Sequence, residues 1–363
     1  MKKTRVLVAM SGGVDSSVTA ALLSKAGYDV IGISMRLGTH DTIEVDTEKP
    51  SCCSLEGIED ARRVAAQLGI PFYAVNYEAS FAKYIVDYFC AEYSQGRTPN
   101  PCILCNQELK FGRLMKLAHQ LEAEYVATGH YARIRYDSQL GRYLLLKGID
   151  RGKDQSYALF SLTQEQLSHA LMPLGEYTKK EVREIASELG LKTRDKPESQ
   201  ELCFIADDDY NRFLTERMPE SIKPGPILDT RGNILGEHRG IQFYTIGQRK
   251  GLRLSLGKPV YVVKIDPANN AVIVGDKHEL FKREFRVQNL NLIGREHLDE
   301  PIKAKVKIRY NDPGHRAMIF QISADEAKVQ FDEPYGAITP GQAAVFYDND
   351  VVIGGGWIAS NGR

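Results

Sequence analysis

Val6-Leu7-Val8-Ala9-Met10-Ser11-Gly12-Gly13-Val14-Asp15-Ser16-Ser17-Val18-Thr19-Ala20-Ala21 decides the fold. Residues 6–9 read as a buried strand, and residues 17–23 as the first turns of a helix with a packed face. A strand, a glycine turn and a helix start together make an anion site. The two glycines let the backbone come close to a phosphate, and the helix start offers unpaired N–H groups at a positive dipole end. Ser11, Ser16 and Ser17 can add hydroxyl donors. Asp15 has no reason to face a phosphate, but it suits a Mg²⁺ ion or a role in fixing the loop. The stretch lacks both the lysine of the Walker loop and the spacing of the dinucleotide fingerprint. On the glycines alone, an ordinary strand-to-helix turn is the plain alternative.

Outward from this stretch, strand and helix alternate. Residues 29–35, 72–75 and 125–128 read as strands, and residues 58–68 and 78–93 as helices. This alternation predicts an α/β domain with a parallel sheet covered on both faces. Ligands of such sheets sit at the carboxyl ends of strands. The Ser11 loop, Met35 and Gly129 all lie at such ends, which predicts one nucleotide pocket. Thr178-Lys179-Lys180-Glu181 has capping-box spacing, and its helix should stop at Gly190. Residues 191–206 read as a loop. After residue 207 a short helical piece (208–217) gives way to turns such as Pro224-Gly225-Pro226 and Asp229-Thr230-Arg231-Gly232-Asn233. From residue 280 the pattern is almost all strand: 286–293, 303–310, 316–322, 327–331, 343–347 and 351–358. That predicts a small antiparallel barrel. The expected domains are 1–206 (PP-loop, catalytic), 207–278 (central, small, mixed and mostly β) and 279–363 (antiparallel β-barrel).

The chain has 363 residues, enough for two or three domains. No apolar run is long enough to cross a membrane, and residues 1–4 leave no room for a signal peptide. Together with six cysteines, this predicts a cytoplasmic protein whose thiols do chemistry or hold metal and do not form a disulfide scaffold. Lys+Arg and Asp+Glu both number 47, so overall charge does not announce a nucleic acid and any basic surface must be local. One candidate is Lys303-Ala304-Lys305-Val306-Lys307-Ile308-Arg309-Tyr310. On a strand its four basic residues share one face, while Ala304, Val306, Ile308 and Tyr310 share the other. A solvated barrel face is the plain reading of that pattern, and a phosphate-backbone contact the functional one. Arg249, Lys250 and Arg253 form a second cluster.

Among the cysteines, Cys90 reads as a small hydrophobe inside a helix. Cys52-Cys53 is ambiguous. Cys102-Ile103-Leu104-Cys105 follows Pro99-Asn100-Pro101 and precedes a helix, where a thiol is favoured as thiolate. Cys203 lies in another loop.

Ser11-Gly12-Gly13-Val14-Asp15-Ser16 resembles the signature of the PP-loop ATP pyrophosphatases, which cleave ATP between the α- and β-phosphates and leave AMP on a substrate oxygen. Further segments narrow the resemblance. Pro99-Asn100-Pro101-Cys102-Ile103-Leu104-Cys105-Asn106, Ala127-Thr128-Gly129-His130-Tyr131-Ala132, Lys153-Asp154-Gln155-Ser156-Tyr157 and Ser199-Gln200-Glu201-Leu202-Cys203-Phe204-Ile205 occur in this order. They are similar to the motifs of the tRNA-specific 2-thiouridylase (MnmA/TrmU) family. The resemblance implies adenylation of the C2 oxygen of the wobble uridine of tRNA, followed by sulfur transfer from a persulfide on Cys203. Cys105 assists and AMP leaves. It implies ATP contacts at Ala9, Met10, Ser11, Gly12, Gly13, Val14, Asp15, Ser16, Met35 and Gly129. It implies tRNA contacts at Asn100, Pro101, Cys102, His130, Lys153, Asp154, Gln155, Arg309, Tyr310 and Gln342. The implied catalytic residues are Cys105, Cys203 and Asp15. The implied cofactors are ATP and Mg²⁺, and the implied partners are tRNA and a persulfide sulfur-donor protein.

Many family members carry Asp where this chain has Cys102. With three thiols, Cys102, Cys105 and Cys203 have the number needed for a [4Fe–4S] cluster with one open iron, so a cluster stands beside the persulfide relay. Two further readings are a PP-loop amide or amine ligase with structural cysteines and a metal-binding RNA chaperone without turnover.

Overall fold

A computed structural model describes residues 3–38, 55–196, 202–205, 207 and 209–360. Cys52, Cys53 and the Ser199-Gln200-Glu201 part of the Cys203 motif lie outside the described residues. The chain divides into two compact units: residues 1–85, 102–209 and 350–352, and residues 86–101, 210–349 and 353–363.

The first unit is built on a parallel sheet. Its strands are β1 (Arg5–Ala9), β2 (Asp29–Arg36), β3 (Phe72–Asn76), β4 (Tyr125–Ala127) and, after a hairpin, β7 (Ala170–Leu171), in the order β3-β2-β1-β4-β7. Val6, Leu7 and Val8 of the central β1 are fully buried, as a strand covered on both faces requires. The edge strand β3 departs from that rule: Tyr73 is exposed. Val6, Val8, Val18, Leu23, Val64 and Val182 share one core cluster, which clamps helices Val14–Lys25, Leu55–Leu68 and Lys179–Glu188 onto the sheet. Thr178 caps the last of these helices with the reciprocal Glu181 bonds expected, and Gly190 follows with φ +62. The hairpin, β5 (Ala132–Asp137) and β6 (Arg142–Lys147), was not anticipated. Neither was the two-residue β7.

The second unit holds a four-stranded sheet and a barrel. The sheet runs in the order β10-β11-β8-β9, from β8 (Gly225–Asp229), β9 (Ile234–His238), β10 (Tyr261–Asp266) and β11 (Ala271–Gly275). The barrel comprises β12 (Phe281–Leu292), β13 (Ile302–Lys307), β14 (His315–Gln321), β15 (Glu326–Gly336), β16 (Ala343–Asp348) and β17 (Val351–Ile358), in the order β12-β15-β14-β13-β16-β17. Pairing of β12 with β17 closes it. Phe285, Val306, Ile319, Val329 and Phe346 fill the interior.

The Lys303 strand ends at Lys307, not at residue 310. The buried Asp312 carboxylate accepts the Ile308 and Gly314 N–H groups and folds the chain into a turn. Lys303 and Lys305 stay on the exposed face and Ala304 and Val306 on the buried one, but Tyr310, read as inward, is exposed.

Candidate functional site

The turn between β1 and helix Val14–Lys25 is held by its own polar groups. Met10 N–H donates to Ile33 O of β2, and Ser34 Oγ donates to Met10 O at 2.6 Å. Ser17 Oγ donates to Gly13 O at 2.8 Å and Ser16 Oγ to the same oxygen at 3.2 Å. Ser16 Oγ also accepts the Ser11 N–H. Ser17 is fully buried, so its hydroxyl closes the loop and is not presented to a ligand. Met10 and Val14 are buried, and only their backbone can face a nucleotide. Gly12 has φ +76, and a Cβ there would lie 2.1 Å from Gly57 O. Gly13 is the helix N-cap at φ −88. Gly129, just beyond β4, leaves only enough room for the start of the same helix: a Cβ would come within 2.9 Å of the Asp15 carbonyl carbon. Thus the ends of β1 and β4 meet at the loop, as the nucleotide pocket requires. Met35 lies at the corresponding end of β2.

Asp15 does not stand open. Lys179 Nζ lies 2.8 Å from both of its carboxylate oxygens, and Tyr131 Oη donates to Oδ1 at 2.8 Å. Neither partner was picked out from the sequence. Tyr131 sits in a quoted motif, and Lys179 sits beside the capping threonine. With its oxygens so engaged, Asp15 does not fit as a direct Mg²⁺ ligand, and its loop-fixing role is the one the geometry supports.

His130 follows Gly129. Its Nδ1 is 2.7 Å from Thr128 Oγ1, and the ring is buried beside Phe111. Burial, reinforced by the Lys110 ammonium, holds the imidazole well below the usual histidine range. It is therefore neutral in the folded state, while the unfolded chain takes up a proton below about pH 6.5. The sign follows: this contribution to stability is complete above that pH and is lost as pH falls towards the folded-state value. His130→Asn should flatten the acid side of the stability profile by up to about 1.4 kcal/mol per pH unit. Urea unfolding between pH 5 and 8 checks this, and an unchanged slope contradicts it.

Asp154 and Gln155 hold the backbone. Asp154 accepts Gly148 N–H, Ser156 N–H and Ser156 Oγ, and Gln155 Oε1 accepts Tyr131 N–H at 3.0 Å. Lys153 is half-buried beside them.

The thiols lie on or near irregular backbone. Pro101 opens a helical turn (Pro101–Leu104), Cys105–Arg113 continue as a π-helix, and Leu114–Gln120 return to α. Cys102 and Cys105 therefore sit within the helix, one turn apart, not in the loop before it. A π segment widens the turn and is frequent at functional sites. Cys102 is exposed, and Cys105 and Cys203 are half-buried. Phe204, next to Cys203, packs edge-on against Phe81 at 5.7 Å. Among the described residues no group of three His, Cys, Asp or Glu side chains is placed to hold a metal ion.

In the second unit, Gln342 Nε2 donates to Thr98 O at 3.0 Å and to Pro99 O at 3.3 Å, and Thr98 N–H donates to Pro340 O. Arg97 pairs with Glu92, and Thr98 Oγ1 meets Thr245 Oγ1 at 3.1 Å. These bonds fix the approach to Asn100, so Gln342 acts on the loop that carries it. Arg309 donates to Tyr335 Oη at 3.3 Å. Lys305 lies opposite Arg316 on β14, which extends the basic face by one residue. Arg249, Lys250 and Arg253 are all exposed.

Three family models match in succession: the tRNA methyl transferase HUP domain over residues 4–207, the tRNA methyl transferase PRC-barrel domain over 211–276 and the aminomethyltransferase beta-barrel domain over 282–358. The tRNA-specific 2-thiouridylase MnmA of Moorella thermoacetica is 54% identical over 98% of this chain and 99% of its own length. Those of Acetivibrio thermocellus and Clostridioides difficile are each 50% identical, over 99% and 98% of this chain and 100% and 98% of their own. The chain belongs to the tRNA-specific 2-thiouridylase MnmA family. Full-length coverage means the MnmA likeness includes the glycine loop, the cysteine helix and the barrel together. No helix among the described residues is long and apolar enough to cross a membrane.

Proposed function

We propose that the protein is an ATP-dependent tRNA sulfurtransferase, giving 2-thiouridine at the wobble position with AMP and pyrophosphate as co-products. The observation that carries this reading is the closed phosphate loop of Ser11–Ser17 in a full-length member of the family, with the Cys102–Cys105 turn in the same unit. ATP is a substrate of this reaction. The loop's backbone N–H groups would hold its phosphates. Attack of the uridine O2 on the α-phosphorus expels pyrophosphate and turns a poor leaving oxygen into AMP.

The terminal sulfur of a Cys203 persulfide then attacks C2, and AMP departs with the C–O bond electrons. Attack of the Cys105 thiolate on Cys203 Sγ breaks the S–S bond, leaves the sulfur on C2 as a thione and joins the two cysteines. A thiol reductant resets them, and a persulfide donor protein reloads Cys203. The target base must leave its stack to react. Asn100, Pro101 and Cys102 are the residues assigned to it, with His130, Lys153, Arg309, Tyr310 and the Lys303 face on the rest of the tRNA. A tRNA substrate supports the expectation of a cytoplasmic protein.

Incubation with unmodified tRNA, ATP and a persulfide donor should yield 2-thiouridine, read by mass spectrometry, in step with AMP. AMP without sulfur incorporation favours the ligase reading. RNA binding without AMP favours the chaperone. Lys303→Ala with Lys305→Ala should weaken tRNA binding and make its salt dependence shallower by about 1.5 units, if each lysine neutralises a phosphate. Unaltered salt dependence returns this strand to an ordinary solvated face.

A further inference from the structure

Anion loops of nucleotide enzymes usually carry a cation, and this loop carries a carboxylate. Asp15 lies in the first turn of helix Val14–Lys25, where the backbone N–H groups and dipole favour negative charge. A triphosphate at the same place would face that carboxylate. The countercharge arrives from 164 residues downstream. Lys179, the first residue of helix Lys179–Glu188, is 8% exposed and reaches both Asp15 oxygens at 2.8 Å. Its own backbone N–H donates to Asp150 Oδ2 at 2.9 Å, and its ammonium lies 5.7 Å from the Tyr131 ring centre. Tyr131 Oη donates to Asp15 Oδ1, while the Tyr131 N–H is held by Gln155. Asp15 is thus clamped by two side chains whose own backbones are fixed. A lysine this buried needs such a partner, since an unpaired charge there is costly.

We propose that Lys179 is a positioning residue for ATP binding, which acts through Asp15. It cancels the Asp15 charge and, with Tyr131, pins the carboxylate side-on, so that the loop accepts phosphate without a cation of its own. This rests on the reading of Ser11–Ser17 as the ATP loop. The alternative is that Lys179 touches the phosphates directly. The two readings differ in what happens when Asp15 carries no charge.

A double-mutant cycle on the full chain separates them, with the ATP dissociation constant measured by calorimetry and the melting temperature measured beside it. Lys179→Met alone should weaken ATP binding by about 30-fold or more, because a full charge a few ångströms from the phosphates is uncovered. Lys179→Met in an Asp15→Asn background should weaken it by less than about 3-fold relative to Asp15→Asn alone, since there is then no charge to cancel. Lys179→Met/Asp15→Asn buries a neutral pair, which proteins tolerate. If Lys179→Met alone does not fold, the comparison within the Asp15→Asn background still decides. An equal loss of affinity in both backgrounds overturns the proposal in favour of direct phosphate contact. An unchanged ATP affinity in Lys179→Met overturns it in favour of a purely structural pair. Failure of the unsubstituted protein to bind ATP is a different result, which sinks the loop reading itself.

Discussion

Gly12→Ala should remove ATP-dependent AMP formation, by 100-fold or more, and lower the melting temperature as well. Two costs coincide at this residue. Its φ of +76 lies where an L side chain is strained by roughly 1–2 kcal/mol. The added Cβ would also meet Gly57 O at 2.1 Å, and a backbone oxygen cannot rotate away as a side chain can. Either helix Leu55–Leu68 shifts or the loop does, and the combined cost should reach about 3 kcal/mol. Gly13→Ala is the control. Gly13 has φ −88, and its Cβ would find only Ser11 Oγ, at 3.6 Å. Its melting temperature should stay within a degree or two of the parent. Any AMP formation it loses then reports a methyl group in the space a phosphate needs. Calorimetry and AMP release on both variants check this. A Gly12→Ala protein with parental melting temperature and turnover would remove the strain argument.

The two glycines also show how far a sequence can be read. That the pair marked a phosphate loop was legible from the strand before it and the helix after it. Which glycine carried the strain was not, because the answer lies in Gly57, 45 residues away. Local signals behaved well. The Thr178–Glu181 capping box and the Gly190 stop involve neighbours on one helix and are present as read. Three of the barrel strands, β14, β16 and β17, match their alternation to within a residue, while β12 starts five residues earlier and β15 runs five residues further than read. The failure at β13 is instructive, since alternation continues to Tyr310 while the strand stops at Lys307. Asn311-Asp312-Pro313-Gly314 is turn chemistry, and the buried Asp312 carboxylate reaches back to Ile308 N–H and outweighs the pattern. The short β7 exists only because β4 offers it an edge, so no periodicity could announce it. Lys179 was invisible for the same kind of reason. A lysine on a polar, well-capped helix start reads as solvated, and only the tertiary approach of Asp15 makes it buried and paired.

Cys203→Ser should abolish thiolation, by about a thousandfold or more given that the nucleophile itself is lost, and leave a single turnover of pyrophosphate release measurable, with AMP held on the uridine. Cys105→Ser should abolish turnover too, because the thione is released by its attack on Cys203. Neither variant separates a persulfide relay from an iron–sulfur cluster, since both need both thiols. Cys102 does. The relay uses two thiolates, and a cluster held by this chain would use three. Cys102 is exposed and sits in the first helical turn, where a carboxylate is favoured by the positive end of the helix dipole. Cys102→Asp should therefore fold as the parent does and keep thiolating in air with a persulfide donor. A cluster would respond in the opposite way. A hard carboxylate in place of a soft thiolate would loosen the iron and make activity oxygen-labile or absent. Loss of thiolation in Cys102→Asp, together with about four irons per chain in protein purified without oxygen, would overturn the relay and make Cys102 a ligand.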